Sequence, residues 1–107
     1  MSFTGPIAAL HDNATLVAQR LRLLAHRDRL IMLCLMTNGE VSVGELVSLT
    51  GLPQSSVSQH LAVLREAGTV SVRAEAQSRF YQLVDTRVAG IIAALCDYSG
   101  RIAGEAP

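Results

Sequence analysis

Residues 42–68 constrain this chain more than any other stretch. Ser42 and Glu45 have the S-x-x-E spacing of a capping box, in which each side chain satisfies a free backbone amide at the start of a helix. The helix that begins there is short. Its inward positions are Val43, Leu46, Val47 and Leu49, and Thr50-Gly51-Leu52-Pro53 then breaks it with a tight turn. The next helix, Gln54 to Ala67, sets Val57, Leu61 and Leu64 on one stripe by i, i+4, i+7 spacing and leaves Ser55, Ser56, Gln59 and His60 away from it. Gly68 closes it. Two short helices around a glycine-containing turn, the second with a polar outer face free of long acidic side chains, predict a helix-turn-helix.

The flanks fit that centre. After an N-terminal arm over residues 1–12, Asn13 caps a first helix with Leu16, Val17, Leu21 and Leu24 at helical spacing. A second helix from Arg27 or Asp28 runs through LIMLCLM, apolar nearly all round, and Asn38-Gly39 ends it. His26, at the start of that helix, reads as a structural cap. From Thr69 to Val84 the period changes: Val70 and Val72 alternate with polar residues, Arg73 to Ser78 is polar, and Phe80, Tyr81 and Leu83 favour strand, which predicts a hairpin. Asp85 caps a last helix to about Ile102, with Val88, Ile91, Ile92 and Leu95 as its stripe, and residues 103–107 form a disordered tail. The expected fold is mainly α with a small β-hairpin: a winged helix-turn-helix of five helices plus wing, one domain over residues 1–107.

With 107 residues, half of them apolar and only 4% aromatic, the chain can build one aliphatic core. Leucine- and alanine-rich terminal helices gain by burying their faces against a second copy, so a homodimer is expected. Formal net charge is zero, so any hold on nucleic acid must come from a local patch rather than a global field. That patch is expected on the second helix of the pair, at Gln54, Ser55, Ser56, Ser58, Gln59 and His60, and on the wing, at Arg73, Gln77 and Arg79. Gln59 suits adenine, the serines suit bases or phosphates, and the wing arginines suit phosphate or a narrow minor groove. Arg65, near the helix end, belongs to a salt-bridged face with Glu66 or contacts phosphate. No nucleophile triad or phosphate-binding glycine loop is present, so enzyme activity is not expected. No apolar run reaches the length of a membrane span and no signal peptide opens the chain, which points to the cytoplasm. Cys34 and Cys96 lack the close spacing of a zinc or CxxC site; as residues alone they are equally two inert buried thiols or a reactive pair.

The stretches LLAHRDRLIMLCLM, SVGELVSLTGLPQSSVSQHLAVLREAG and RFYQLVD, together most of residues 23–85, resemble the ArsR/SmtB family of bacterial repressors. The resemblance implies a homodimer packed through its first and last helices, with recognition helices in successive major grooves of double-stranded operator DNA and a ligand that changes DNA affinity. The family's arsenic-type C-V-C-D-L run is replaced here by Ser42-Val43-Gly44-Glu45-Leu46, without a thiolate. Its zinc-type last helix is replaced by Asp85-Thr86-Arg87 with no histidine beyond His60, so neither metal site is expected and no cofactor is implied. Cys34, in LCLM before GEVSVGEL, is similar to the first cysteine of the family's BigR/HlyU/SqrR-like thiol-based regulators, which sense reactive sulfur or oxidants through one cysteine in the second helix and one in the last. Gapless alignment from Phe80 and Tyr81 places their second cysteine at Gly100, one helical turn beyond Cys96 on the same face. A disulfide needs Cα atoms within roughly 7 Å, so that displacement of about 6 Å decides between a direct bond, a bridge through extra sulfur and modification of Cys34 alone. The implied function is a dimeric repressor controlled by thiol modification at Cys34 and Cys96. A metal- or metalloid-responsive repressor using cysteines of both subunits, and a protein-interaction module on the same fold, are the alternatives.

Overall fold

A computed structural model describes Ser2 and residues Thr4–Glu105. Helix α1 (Gly5–Leu24) starts directly after Thr4 with a proline in its first turn, where the missing N–H is one the helix does not use. The expected arm over residues 1–12 is therefore helical from Gly5 onward. Asn13 is not a cap but an interior residue whose Nδ2 donates to the Ala9 carbonyl at 2.9 Å. The reason lies in the stripe Ile7, Leu10, Val17 and Leu21, which carries helical spacing back to the proline.

Helix α2 (Arg27–Leu35) is capped by His26, whose Nδ1 accepts the Asp28 N–H at 3.2 Å, as its place in the sequence suggested. It supplies the buried Met32 and Leu33, with Met36 just past its end. Arg29 donates to the Leu23 carbonyl at 2.8 Å and ties α2 to the end of α1. Helix α3 (Val43–Thr50) has the full capping box: Glu45 N–H to Ser42 Oγ at 3.1 Å and Ser42 N–H to Glu45 Oε1 at 3.2 Å.

The turn between α3 and α4 (Gln54–Glu66) depends on three residues. Thr50 Oγ1 donates to Leu46 O and accepts from Leu52 N–H, Gly51 takes φ +73° with its N–H on Val47 O, and the Pro53 carbonyl accepts the Ser56 and Val57 amides of α4. That positive φ costs an L side chain roughly 1–2 kcal/mol, which glycine avoids. Val57, Leu61 and Leu64 then lie fully inside, as their spacing predicts. Leu49 does not. It is 63% exposed, because α3 packs its Leu46 and Val47 side against the core and leaves Leu49 on the solvent side.

Strands β2 (Val70–Glu75) and β3 (Ser78–Leu83) form the expected hairpin, in register Val70↔Leu83 and Glu75↔Ser78 around a two-residue turn at Ala76 and Gln77. A third strand, β1 (Val41–Ser42), pairs antiparallel with β3, giving sheet order β1-β3-β2. Two residues are too few to show a period, so β1 is not legible beforehand. Buried Thr69 fastens the hairpin base to α4: its N–H donates to Leu64 O, and its carbonyl accepts from Val84 and Asp85. Asp85 Oδ1 accepts the Arg87 and Val88 amides at the start of α5 (Thr86–Glu105), which continues past Ile102 and the expected start of the tail. The rest of that tail, residues 106–107, lies outside the described residues. No described helix is long and apolar enough to cross a membrane.

Contrasting leucines test this packing. Leu61→Ala removes a fully buried side chain and is expected to cost about 2–5 kcal/mol in denaturant unfolding. Leu49→Ala should change stability by no more than about 0.5 kcal/mol.

Candidate functional site

With the 57/61/64 stripe buried, α4 presents Gln54, Ser55, Ser58 and Gln59 to solvent. Gln54, Ser58 and Arg65 line one wall of an open groove of about 970 Å³; Gln77 and Arg79 at the wing tip line the other, and Ser42 to Gly44 at the start of α3 close one end. Five polar side chains from two separated segments, with Ser42 from a third, thus converge on a single concave surface. Among the described residues, neither Arg65 nor Arg79 forms an ion pair, so both charges are available. The expected pairing of Arg65 with Glu66 does not form among the described residues.

Two expected contacts give way. Arg73 does not offer its charge to a ligand: Nε and Nη2 bond Glu40 at 2.9 and 3.3 Å, Nη1 bonds Glu75, and the guanidinium lies over the Phe80 ring at 4.8 Å. Glu40 and then Glu75 hold that charge more firmly than usual. Arg73 is a strut of the wing, and the acids that bind it come from a loop and from its own strand. His60 is half-buried, its ring edge-on to His26 at 4.5 Å, instead of lying on the outward face with Gln59. Ser56 on the same flank is also half-buried.

The two cysteines meet. Cys34 on α2 and Cys96 on α5 place their sulfurs 3.2 Å apart, close enough for an S–H···S hydrogen bond. One helical turn later, a Cβ built on Gly100 meets nothing within 4 Å, so Cys96 is the position that faces Cys34. Burial first, and the hydrogen bond with Cys96 second, push the Cys34 thiol up to about 11. Cys96 is exposed. Sequence separation conceals this pair; only the packing of α5 on α2 brings it together.

Exposed apolar side chains concentrate on the terminal helices. Ile7, Leu10, Val17 and Leu21 form a stripe along α1, and Ile91, Leu95 and Tyr98 one along α5. A groove between the two helices is lined by Leu16, Val17, Leu21 and Ile91 with Arg20 and Arg87 at its edges.

Residues 26–72 match the model of the arsR family of bacterial regulatory proteins. The biofilm growth-associated repressor of Agrobacterium fabrum is 46% identical over 90 residues, 84% of this chain and 77% of that protein. The transcriptional activator HlyU of Vibrio cholerae is 43% identical over 83 residues, 78% of this chain and 77% of HlyU. Among solved structures, the transcriptional repressor BigR from Xylella fastidiosa superposes with a TM-score of 0.80 at 37% identity, covering 85% of this chain and 93% of BigR. Reduced HlyU from Vibrio cholerae gives a TM-score of 0.77 at 42% identity, covering 81% and 92%.

The environments of the two thiols predict their reactivity. With a pKa of about 11, Cys34 is thiolate in roughly one molecule in ten thousand at pH 7, and that fraction rises about tenfold per pH unit up to pH 10. Iodoacetamide labelling followed by peptide mass spectrometry should therefore show Cys96 alkylated first, and Cys34 labelling accelerating with pH.

Proposed function

The chain belongs to the arsR family of bacterial regulatory proteins, and we propose that it is a dimeric DNA-binding repressor whose hold on its operator is set by the oxidation state of Cys34 and Cys96. The observation that carries the switch is the 3.2 Å contact between the two sulfurs, which joins α2 to α5.

In this reading α4 enters the major groove. Gln54 and Gln59 present amides that pair with adenine, Ser55 and Ser58 bond bases or phosphates, and Arg65, Gln77 and Arg79 meet the backbone beside it. The apolar stripes of α1 and α5 supply the dimer interface and so set the distance between two recognition helices.

Exposed Cys96 is the point of attack. Its thiolate takes an outer sulfur from an inorganic polysulfide, and the shorter polysulfide anion leaves. Cys34, losing its proton as it attacks, displaces hydrosulfide from the Cys96 persulfide and closes a Cys34–Cys96 bond. Oxidation by a peroxide reaches the same disulfide with two electrons passed to the oxidant and two protons released. A direct bond of about 2.05 Å draws the sulfurs together by just over 1 Å, whereas a bridge through one additional sulfur leaves them near their present spacing. The reducing cytoplasm, where both thiols start out reduced, suits such a device.

An operator mobility shift tests the switch. Polysulfide-treated protein is expected to bind at least about fivefold more weakly than reduced protein, and Cys34→Ser and Cys96→Ser proteins to bind alike in both conditions. Unchanged affinity in treated wild type would sink the thiol switch. For the groove, Arg79→Ala should lower the salt slope of operator binding by about two, one contact per protomer, and Arg73→Ala should not, because its charge is already paired.

A further inference from the structure

Apart from the groove and the thiol pair, His26, Asp28 and His60 come together where the corner between α1 and α2 meets α4. One ligand-type atom from each lies within 4.8 Å of the others, and all three side chains are half-buried. The imidazoles stand edge to face at 62°. Burial, then the neighbouring His26 and Arg29, hold the His60 pKa below its ordinary value, so its ring is an uncharged donor at neutral pH. Arg29 is itself turned to the carbonyls of Leu23 and Arg22, while Arg27 Nη1 donates to Asp28 Oδ1 at 2.8 Å, an exposed contact that an ion on the carboxylate shares or displaces.

We propose that His26, Asp28 and His60 form a binding site for a divalent transition metal of the zinc, cobalt or nickel type, with water completing the coordination. Two imidazoles and one carboxylate are a donor set that suits those ions, whereas calcium and magnesium require more oxygen. Three protein ligands leave a position open to water. Donors at about 2.1 Å from one ion lie less than about 4.2 Å apart, so capture draws the three groups inward.

Capture also has a structural consequence. His26 Nδ1 accepts the Asp28 N–H, and a neutral imidazole has only one bare nitrogen. An ion on Nδ1 replaces that hydrogen bond; an ion on Nε2 moves the proton to Nδ1, which then no longer accepts. Either way the cap of α2 is exchanged for a tie between α2 and the middle of α4. The site shares no residue with the thiol pair, so it stands or falls independently of the redox switch.

The test uses full-length Cys34→Ser, Cys96→Ser protein, which has no thiolate to capture metal, titrated with cobalt(II). Saturation at one ion per chain is expected, with a visible d–d absorption that zinc(II) abolishes. His26→Asn keeps a good helix cap while removing one donor, and Asp28→Asn removes the carboxylate charge. Each is expected to weaken cobalt binding at least about tenfold while leaving the circular dichroism and melting temperature of the metal-free protein close to wild type. Absence of the d–d band at stoichiometric cobalt, or undiminished affinity in either variant, overturns the proposal. His60→Ala should also abolish binding; if it does not fold, the two asparagine variants still decide.

Discussion

Burial of Val57, Leu61 and Leu64 on one side of α4 is the interaction on which the remaining architecture depends. A helix with one stripe locked in the core has its opposite face assigned, so Gln54, Ser55, Ser58 and Gln59 have nowhere to point but outward. Each such leucine or valine contributes about 1.5–3 kcal/mol by leaving water, against a few tenths for any surface contact of the helix. The parts that aim α4 build on that anchor. Gly51 and Thr50 set its angle to α3, Thr69 fastens the wing to its end, and Arg20 reaches from α1 to the Ala67 carbonyl at 3.0 Å.

Electrostatics in this molecule is local. Several arginines hold the fold together: Arg29 bridges α1 and α2, Arg20 meets the end of α4, and Arg73 braces the wing against Glu40 and Glu75. Arg65 and Arg79 remain beside the groove, with Glu66 also lining it.

Helix α5 has two distinct surfaces. One part of its surface meets α2 at Ile92 and Cys96; Ile91, Leu95 and Tyr98 remain exposed. The thiol contact and the exposed apolar stripe thus lie on one helix. Helices α2, α3 and α4 share one close-packed core, to which Met32, Leu33, Leu46, Val57, Leu61 and Leu64 contribute.

Local chemistry was readable in advance. The capping box at Ser42 and Glu45, the break at Gly51, the caps at His26 and Asp85, the stripe on α4 and the hairpin all follow from neighbours within a few residues, and such neighbours are visible in a linear chain. The misread positions share a cause. Leu49 depends on which side of α3 other helices cover, Arg73 on Glu40 from a loop distant in sequence, His60 on His26 at the start of another helix, and β1 on a partner strand forty residues away. The start of α1 is the exception: the proline in its first turn is a local signal for a helix that begins before Asn13. By itself, then, the sequence determined that residues 42–68 form a helix-turn-helix with a polar outer face, because helical period and capping are short-range. Only the tertiary structure decided which polar groups are free, which are paired, and that Cys34 meets Cys96, because those depend on elements brought together by burial of a common core.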